Sequence, residues 1–217
     1  MIAWIDVVLV LIFLSILFAL ASNRLLALIR ISSFQGFLVP LVPYFADHFH
    51  AAGLSFWFTS LLIGIKGVVI PLLLWLAIRK ASIRREIEPI IGYHASLFAG
   101  LGMILASIYI SRILHNTTGP MPSNLLLPCA ITTVSAGLFL MMARRKAITQ
   151  VIGYLMFENG IYLAGAALAR ETQTFFVLEF GILLDLLAGV MIMGIIVHRI
   201  NHTYNDIDLA YLSELKD

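Results

Sequence analysis

The composition of this 217-residue chain is that of a membrane protein rather than of a soluble domain. Hydrophobic residues make up 61% of it and charged residues only 12%, whereas soluble domains average roughly 45–50% and about 25%. The formal net charge is +2. The basic residues flank the apolar runs and form no continuous patch, so the sequence predicts no nucleic-acid partner. The single cysteine, Cys129, excludes a disulfide within the chain.

Apolar runs of about 20 residues recur along the chain, which is the length that crosses roughly 30 Å of hydrocarbon. They predict an all-α integral membrane protein of about seven transmembrane helices, at Ala3–Ala21, Leu25–Ala46, Ala51–Ile78, Pro89–Ile113, Leu125–Ala143, Ala147–Ala169 and Phe175–His198. The first run is expected to be a retained span, because it is longer than the apolar part of a signal peptide. The second is expected to be kinked or partly unwound, since Gly36, Pro40 and Pro43 interrupt it.

The Lys and Arg residues of the predicted loops fall mostly on one side of the membrane. That side carries Arg24, Arg30, Arg79, Lys80, Arg84, Arg85, Arg144, Arg145, Lys146, Arg199 and Lys216, and the other carries Arg112 and Arg170. Cytoplasmic loops of membrane proteins contain more Lys and Arg than the loops on the outer side. With seven crossings, the N-terminus is therefore predicted to lie outside and the C-terminus in the cytoplasm. Residues 1–217 are predicted to form a single membrane domain, with a three-helix half from about residue 125 to 217.

Three charged residues lie near the middle of predicted spans. Lys66, Glu158 and Asp185 are each roughly 15–20 Å from the end of their helix. A charge at that depth costs at least about 2.5–3.5 kcal/mol, so such residues face protein or water and usually mark ion or proton pathways. We therefore predict that they form a proton or ion relay. The alternative is a purely structural role, in which the charges pair to lock helices together.

Small residues accompany one of these charges. Gly181, Asp185 and Gly189 are spaced by four, which places Asp185 on a stripe where a neighbouring helix can pack closely. Glu179 is shallower in the same span and lies off the Asp185 face. It is expected to be a solvated or interface carboxylate with a supporting role at most.

Two tyrosines flank the second of these charges. Tyr154, Glu158 and Tyr162 are also spaced by four, so each phenol lies one helical turn from the carboxyl group. Both hydroxyls are predicted to be able to hydrogen-bond that carboxyl in either protonation state. A carboxyl balanced between an apolar environment and a nearby ammonium could exchange protons near neutral pH.

The sequence offers no catalytic or metal site of its own. His48 with His50 and His198 with His202 have spacings that could hold a metal, but no Cys or carboxylate partner accompanies them. No Cys-x-x-Cys pair is present to bind an iron–sulfur or nickel–iron centre, and no P-loop is present to bind ATP. The chain alone therefore shows no redox or hydrolytic site, and it is predicted to hold no cofactor of its own, whereas whether it is an enzyme stays open at this point.

Several segments carry a family resemblance. They are Arg144–Lys146 with Ile152–Gly160, Asp185 in the next span, and Asn205–Asp208 with Leu212–Lys216. Together they resemble the E component of hydrogenase-4-type complexes, over most of the chain and including Lys66. More distantly, residues 125–217 resemble the small three-helix K subunit of respiratory complex I and its counterpart in multisubunit cation/proton antiporters.

The resemblance implies a membrane-arm subunit of a group 4 nickel–iron hydrogenase or a complex I-like assembly in the prokaryotic cytoplasmic membrane. Its expected partners are large antiporter-like membrane subunits, a quinone-module-type membrane anchor and hydrophilic redox subunits, which would hold the nickel–iron and iron–sulfur centres. In the complex I subunit two buried glutamates on successive helices belong to the ion path. Asp185 matches the second, whereas the first falls at Leu155, one turn before Glu158.

Two other functions are compatible with the same sequence. One is a subunit of a cation/proton antiporter without a redox arm, which would use the same carboxylates. The other is a scaffold that holds larger subunits together, with the buried charges as interhelical locks. A neighbouring gene for a nickel–iron large subunit would favour the hydrogenase over the antiporter.

Overall fold

The computed structural model describes residues 4–45, 53–80, 91–118, 123–144, 146–168, 183–185 and 187–194. Within these ranges the chain is helical and contains no β-strand. The helices are α1 (Trp4–Ala21), α2 (Leu25–Leu38), α3 (Leu41–Phe45), α4 (Gly53–Gly64), α5 (Ile70–Lys80), α6 (Tyr93–Thr118), α7 (Leu126–Ala143), α8 (Ala147–Leu168) and a short apolar helix α9 (Leu183–Gly194). A π-helical segment, Ile65–Val69, joins α4 to α5 without a break.

Six stretches of the described chain are long and apolar enough to cross a membrane. They are Trp4–Ala21, Leu25–Pro43, Thr59–Arg79, Tyr93–Leu114, Leu126–Ala143 and Ala147–Leu168. They overlap the first six predicted spans, which confirms the prediction of an all-helical, multi-span architecture. The predicted seventh span, Phe175–His198, lies largely outside the described residues, and α9 is the part of it that is described. Seven crossings and the sidedness of the termini therefore stay predictions.

The second span is interrupted, as the sequence predicted. Helix α2 ends at Leu38, and a turn at residues 39 and 40 separates it from the short α3. Pro40 has no N–H to donate to the carbonyl of Gly36, so the α-helical ladder cannot continue through this position. Leu25–Pro43 nevertheless forms one candidate membrane span, which includes α2 and the first residues of α3.

Helix α1 packs against four others, α2, α3, α6 and α7. One of its faces is fully buried and carries Leu9, Ile12 and Ile16. A buried polar contact also joins it to α2, because Gln35 Nε2 donates to Ser15 Oγ at 2.8 Å. The first helix of the chain is thus in contact with its C-terminal part as well as with its neighbour in sequence.

Glycines bring α7 and α8 close together. A Cβ atom on Gly137 would collide with the backbone of Phe157, and one on Gly160 would lie 2.5 Å from the backbone nitrogen of Val134. A Cβ on Gly153 would lie 3.0 Å from the Gly137 carbonyl oxygen. Small residues of this kind let helix backbones approach closely, which is a main source of helix association in membranes. This contact holds α8, the helix that carries Glu158, in a fixed position.

Arg144 is buried, although the sequence placed it among the loop cations. Only 1% of its surface is exposed. Its Nη2 donates to the Leu20 carbonyl oxygen at 3.2 Å, and the guanidinium lies 5.1 Å from the centroid of the Tyr93 ring. The last carbonyls of a helix lack partners within that helix, so an arginine beside the end of α1 is favourable. Arg144 therefore ties the end of α7 to α1 and to the start of α6.

Replacing Gly137 with alanine should force α7 and α8 apart, because the new methyl group meets the backbone of Phe157. We expect the free energy of unfolding to fall by about 1–3 kcal/mol, the usual cost of overpacking, measured as lower thermal stability in detergent. Gly102→Ala is the matched control, since a Cβ there meets nothing within 4 Å. Equal stability of the two variants would contradict the close contact.

Candidate functional site

Lys66 lies in the π-helical segment, and the sequence after it explains this geometry. Pro71 has no N–H to donate to the Gly67 carbonyl four residues earlier, and its ring crowds that oxygen. The backbone widens instead, with the Ile70 N–H donating to the Ile65 carbonyl oxygen five residues earlier. Single π-helical turns inside α-helices occur frequently at functional sites.

Helix α2 supports the π-helical segment from the side. Ser33 Oγ donates to the Gly67 carbonyl oxygen at 2.5 Å and so supplies a donor that Pro71 cannot. Nearby on the same helix, a Cβ on Gly36 would collide with the carbonyl group of Lys66. The α2 backbone therefore lies directly against the π-helical segment and positions the backbone from which the Lys66 side chain extends.

Three elements bring ionisable groups together at one point. Lys66 Nζ pairs with Glu158 Oε1 of α8 and lies 3.3 Å from Asp185 Oδ1 of α9. It also donates to Asn159 Oδ1 at 3.4 Å, and the Tyr162 ring centroid is 5.8 Å away. The structure thus brings the three charges of the predicted relay together. We call Lys66, Glu158 and Asp185 the ion cluster.

The ion cluster is almost completely shielded by protein. The exposed fractions are 5% for Lys66, 1% for Glu158 and 5% for Asp185. If all three groups are ionised, two negative charges face one positive charge, and the cluster carries a net charge of −1. Within the described part of the chain, Glu158 Oε2 and Asp185 Oδ2 receive no hydrogen bond from another residue's N–H or O–H. Adding one proton would make the buried cluster neutral.

The two tyrosines are arranged differently from the prediction. The Tyr154 hydroxyl donates to the Leu184 carbonyl oxygen at 3.5 Å rather than to Glu158. Tyr162 is buried and presents its ring to the Lys66 ammonium group. The spacing of four correctly placed both side chains beside the cluster. It did not determine their contacts, because the backbone carbonyl and the ammonium come from other helices.

Only part of the packing predicted around Asp185 lies within the described residues. Glu179 and Gly181 lie outside the described residues. Gly189 is described, and a Cβ on it would meet no atom within 4 Å. Close helix packing at Gly189 is therefore not present within the described chain, even though Asp185, one turn earlier, is buried by its contacts with the cluster.

Sequence reasoning missed three residues that shape the site. Asn159 directly follows Glu158 and binds the same ammonium group. Ser33 and Gly36 support the segment that carries Lys66. The signal for the last two was a proline four residues after a glycine in the third span, at Pro71, which predicts a carbonyl in need of an outside donor.

The fold and the ion cluster together indicate the class of this protein. It is a multi-span, all-helical membrane protein in which charged residues are buried together. Comparison with known proteins then points to particular relatives. The uncharacterized protein Rv0085 of Mycobacterium tuberculosis is 29% identical over 198 residues, covering 88% of this chain and 86% of that protein. Hydrogenase-4 component E of Escherichia coli K12 is 28% identical over 181 residues, covering 82% of this chain and 81% of that protein.

Hydrogenase-4 component E of Shigella flexneri has the same sequence identity and the same coverage of both chains. No family model matches the chain, and no solved structure shows a significant match. The chain is thus a distant homologue of hydrogenase-4 component E. This relationship and the apolar helices fit a membrane-arm subunit of a multisubunit complex.

Replacing Lys66 with methionine should leave two buried carboxylates without their cation. We expect this change to lower the free energy of unfolding by about 3–5 kcal/mol, the usual cost of breaking a buried ion pair. The triple variant Lys66→Met, Glu158→Gln, Asp185→Asn removes every charge and should recover most of that loss. Thermal unfolding of the purified protein compares the two. A triple variant less stable than the single one would contradict a cluster held by charge.

Replacing Ser33 with alanine should leave the Gly67 carbonyl short of a donor and cost about 1–3 kcal/mol. Pro71→Ala restores an N–H four residues after Gly67, so Ser33→Ala should cost less in that background. A double-mutant cycle of thermal stabilities measures this coupling. Ser96→Ala is a suitable control, because Ser96 Oγ bonds a carbonyl of its own chain segment that also receives the Ser96 N–H. Strictly additive effects of Ser33→Ala and Pro71→Ala would contradict the assignment.

Proposed function

We propose that this chain is a non-catalytic membrane-arm subunit of a hydrogenase-4-type or complex I-like assembly, and that its ion cluster takes up and releases protons during coupling. The observation that carries the proposal is the sharing of one ammonium group by two buried carboxylates, Lys66 with Glu158 and Asp185. The relationship to hydrogenase-4 component E supports the assembly. In this reading the nickel–iron and iron–sulfur centres belong to partner subunits.

The charge balance of the cluster favours a role in proton transfer over a fixed lock. A lock is most stable when opposite charges are equal in number, because each uncompensated charge is expensive to bury. Here the carboxylates exceed the ammonium by one, and each has an oxygen that receives no hydrogen bond from another residue's N–H or O–H within the described chain. One proton can therefore bind on either side of Lys66. Movement of the ammonium toward one carboxylate would favour protonation of the other.

The route to the cluster is proposed to run along α8. Gln150 is exposed, Tyr154 is half-buried and Glu158 is buried, and the three are spaced by four on one face. Tyr162, on the other side of Glu158, is only 3% exposed. Protons would thus arrive past Tyr154 from the end of α8 that begins at Ala147, which the loop charges predict to be cytoplasmic.

The proposal includes a correspondence with the two buried glutamates of the complex I K subunit. Asp185 corresponds to the second of that subunit's buried glutamates, and Leu155 stands where the first would be. Glu158 lies one turn after Leu155 and contacts the same lysine as Asp185. This shared contact supports Glu158 as the functional replacement for the missing glutamate.

The wider setting follows from the same proposal. The chain would cross a prokaryotic cytoplasmic membrane seven times as a single domain, with its N-terminus outside and its C-terminus in the cytoplasm. Its partners would be large antiporter-like membrane subunits, a quinone-module-type anchor and hydrophilic redox subunits. A cation/proton antiporter subunit would use the ion cluster in the same way. The names of the hydrogenase-4 relatives favour the redox assembly.

Substituting Glu158→Gln or Asp185→Asn in the assembled complex should strongly reduce proton translocation while hydrogen turnover in detergent persists. We expect proton uptake, followed with a pH-sensitive dye in proteoliposomes, to fall by about tenfold or more, because loss of a proton-transfer group typically costs at least that. Lys66→Ala should alter the ratio of protons to electrons without abolishing electron transfer. Tyr154→Phe should slow uptake without removing the cluster.

Asp6→Asn is the matched control, because Asp6 is an acidic residue near the start of α1 that accepts a hydrogen bond from Ser123, away from the cluster. Intact assembly and unchanged proton translocation in Glu158→Gln and Asp185→Asn would overturn the relay and leave the scaffold. Purification of the chain in an assembly without redox subunits would instead favour the antiporter.

A further inference from the structure

An apolar groove runs between α1 and α2 on the outer surface of the bundle. Its volume is about 610 Å³, and its walls include Leu11, Leu14 and Phe18 of α1 with Ile31 and Phe34 of α2. Phe18 is 65% and Phe34 44% exposed, so their rings form the open rim of the groove. The groove is open on its outer side, and none of its lining residues belongs to the ion cluster.

The groove has one cationic end. Ser22 and Arg30 line it there, close to the turn between the two helices. Arg30 is exposed, and within the described residues its guanidinium forms no ion pair. It lies five residues into α2, about 8 Å from the start of that helix. An arginine at this depth extends its charged group to the membrane–water interface while its stem lies along apolar surface.

The length of the groove corresponds to one leaflet of a bilayer. From Ser22 to Leu11 the helix rises about 16 Å, which is about half of the roughly 30 Å hydrocarbon core. A fatty acyl chain that begins at the interface would therefore reach the end of the groove near the middle of the membrane. The cationic end then coincides with the level of the lipid phosphates.

We propose that this groove binds one anionic phospholipid, with an acyl chain between α1 and α2 and its phosphate on Arg30. A phospholipid provides an apolar chain and an anion in the order that the groove requires. A helix of another protein would need a carboxylate placed opposite Arg30 and a narrow apolar edge to enter between the two rims. Charge complementarity and length together favour the lipid. The proposal is independent of the relay.

Native mass spectrometry of the full chain tests this proposal. The protein is purified in detergent and supplied with phosphatidylglycerol or phosphatidylcholine of the same chain length. We expect about fivefold stronger retention of phosphatidylglycerol, the effect of one cation near an anionic headgroup. Arg30→Gln should remove this preference. Ala27→Phe, which fills the groove wall, should reduce retention of both lipids while Arg30 remains.

Arg112→Gln is the matched control, because Arg112 is an exposed arginine of α6 that does not line the groove. It should leave lipid retention unchanged, and unchanged elution and thermal stability show that each variant is folded. Equal retention of the two lipids by the wild-type chain would overturn the proposal. So would an equal loss in Arg112→Gln, or a photo-crosslinker at Phe18 that captures a protein instead of lipid in native membranes.

Discussion

The structure depends on the burial of an ammonium group among carboxylates at mid-span. A lysine in hydrocarbon is tolerated only when protein supplies its counter-charge, and Lys66 obtains it from Glu158 and Asp185 on two different helices. These helices must therefore meet the third span at one depth. Helix α8 and the π-helical segment both pack against α2, and the long Lys66 side chain spans the approach between them.

Two local features of the sequence make this approach possible. Pro71 deprives the Gly67 carbonyl of its α-helical donor, and the resulting π-helical turn is held against α2 by Ser33. On the other side, glycines such as Gly137 and Gly160 let α7 and α8 pack backbone to backbone. Neither feature carries a charge. Each sets the position of a backbone from which a charged side chain of the cluster extends.

The sequence predicted those parts of the structure that depend on one segment at a time. Apolar length located the spans, depth within a span singled out Lys66 and Glu158, and proline explained the break in the second span. The sequence did not predict the contacts between separate segments. The depth of Arg144 depends on where α1 ends and on the position of Tyr93. The hydrogen bond of Tyr154 depends in the same way on a carbonyl of α9.

The depth of the ion cluster has an electrical consequence. A proton that travels from one surface to the middle of the membrane crosses about half of the transmembrane potential. One full crossing is worth about 2.3 kcal/mol per 100 mV, so half a crossing is worth about 1 kcal/mol. On the proposed function, the equilibrium constant for proton binding at the ion cluster would then change by about sixfold for each 100 mV. In the proposed assembly, the cluster would respond to the voltage that proton translocation builds up, and this response would limit the further growth of that voltage.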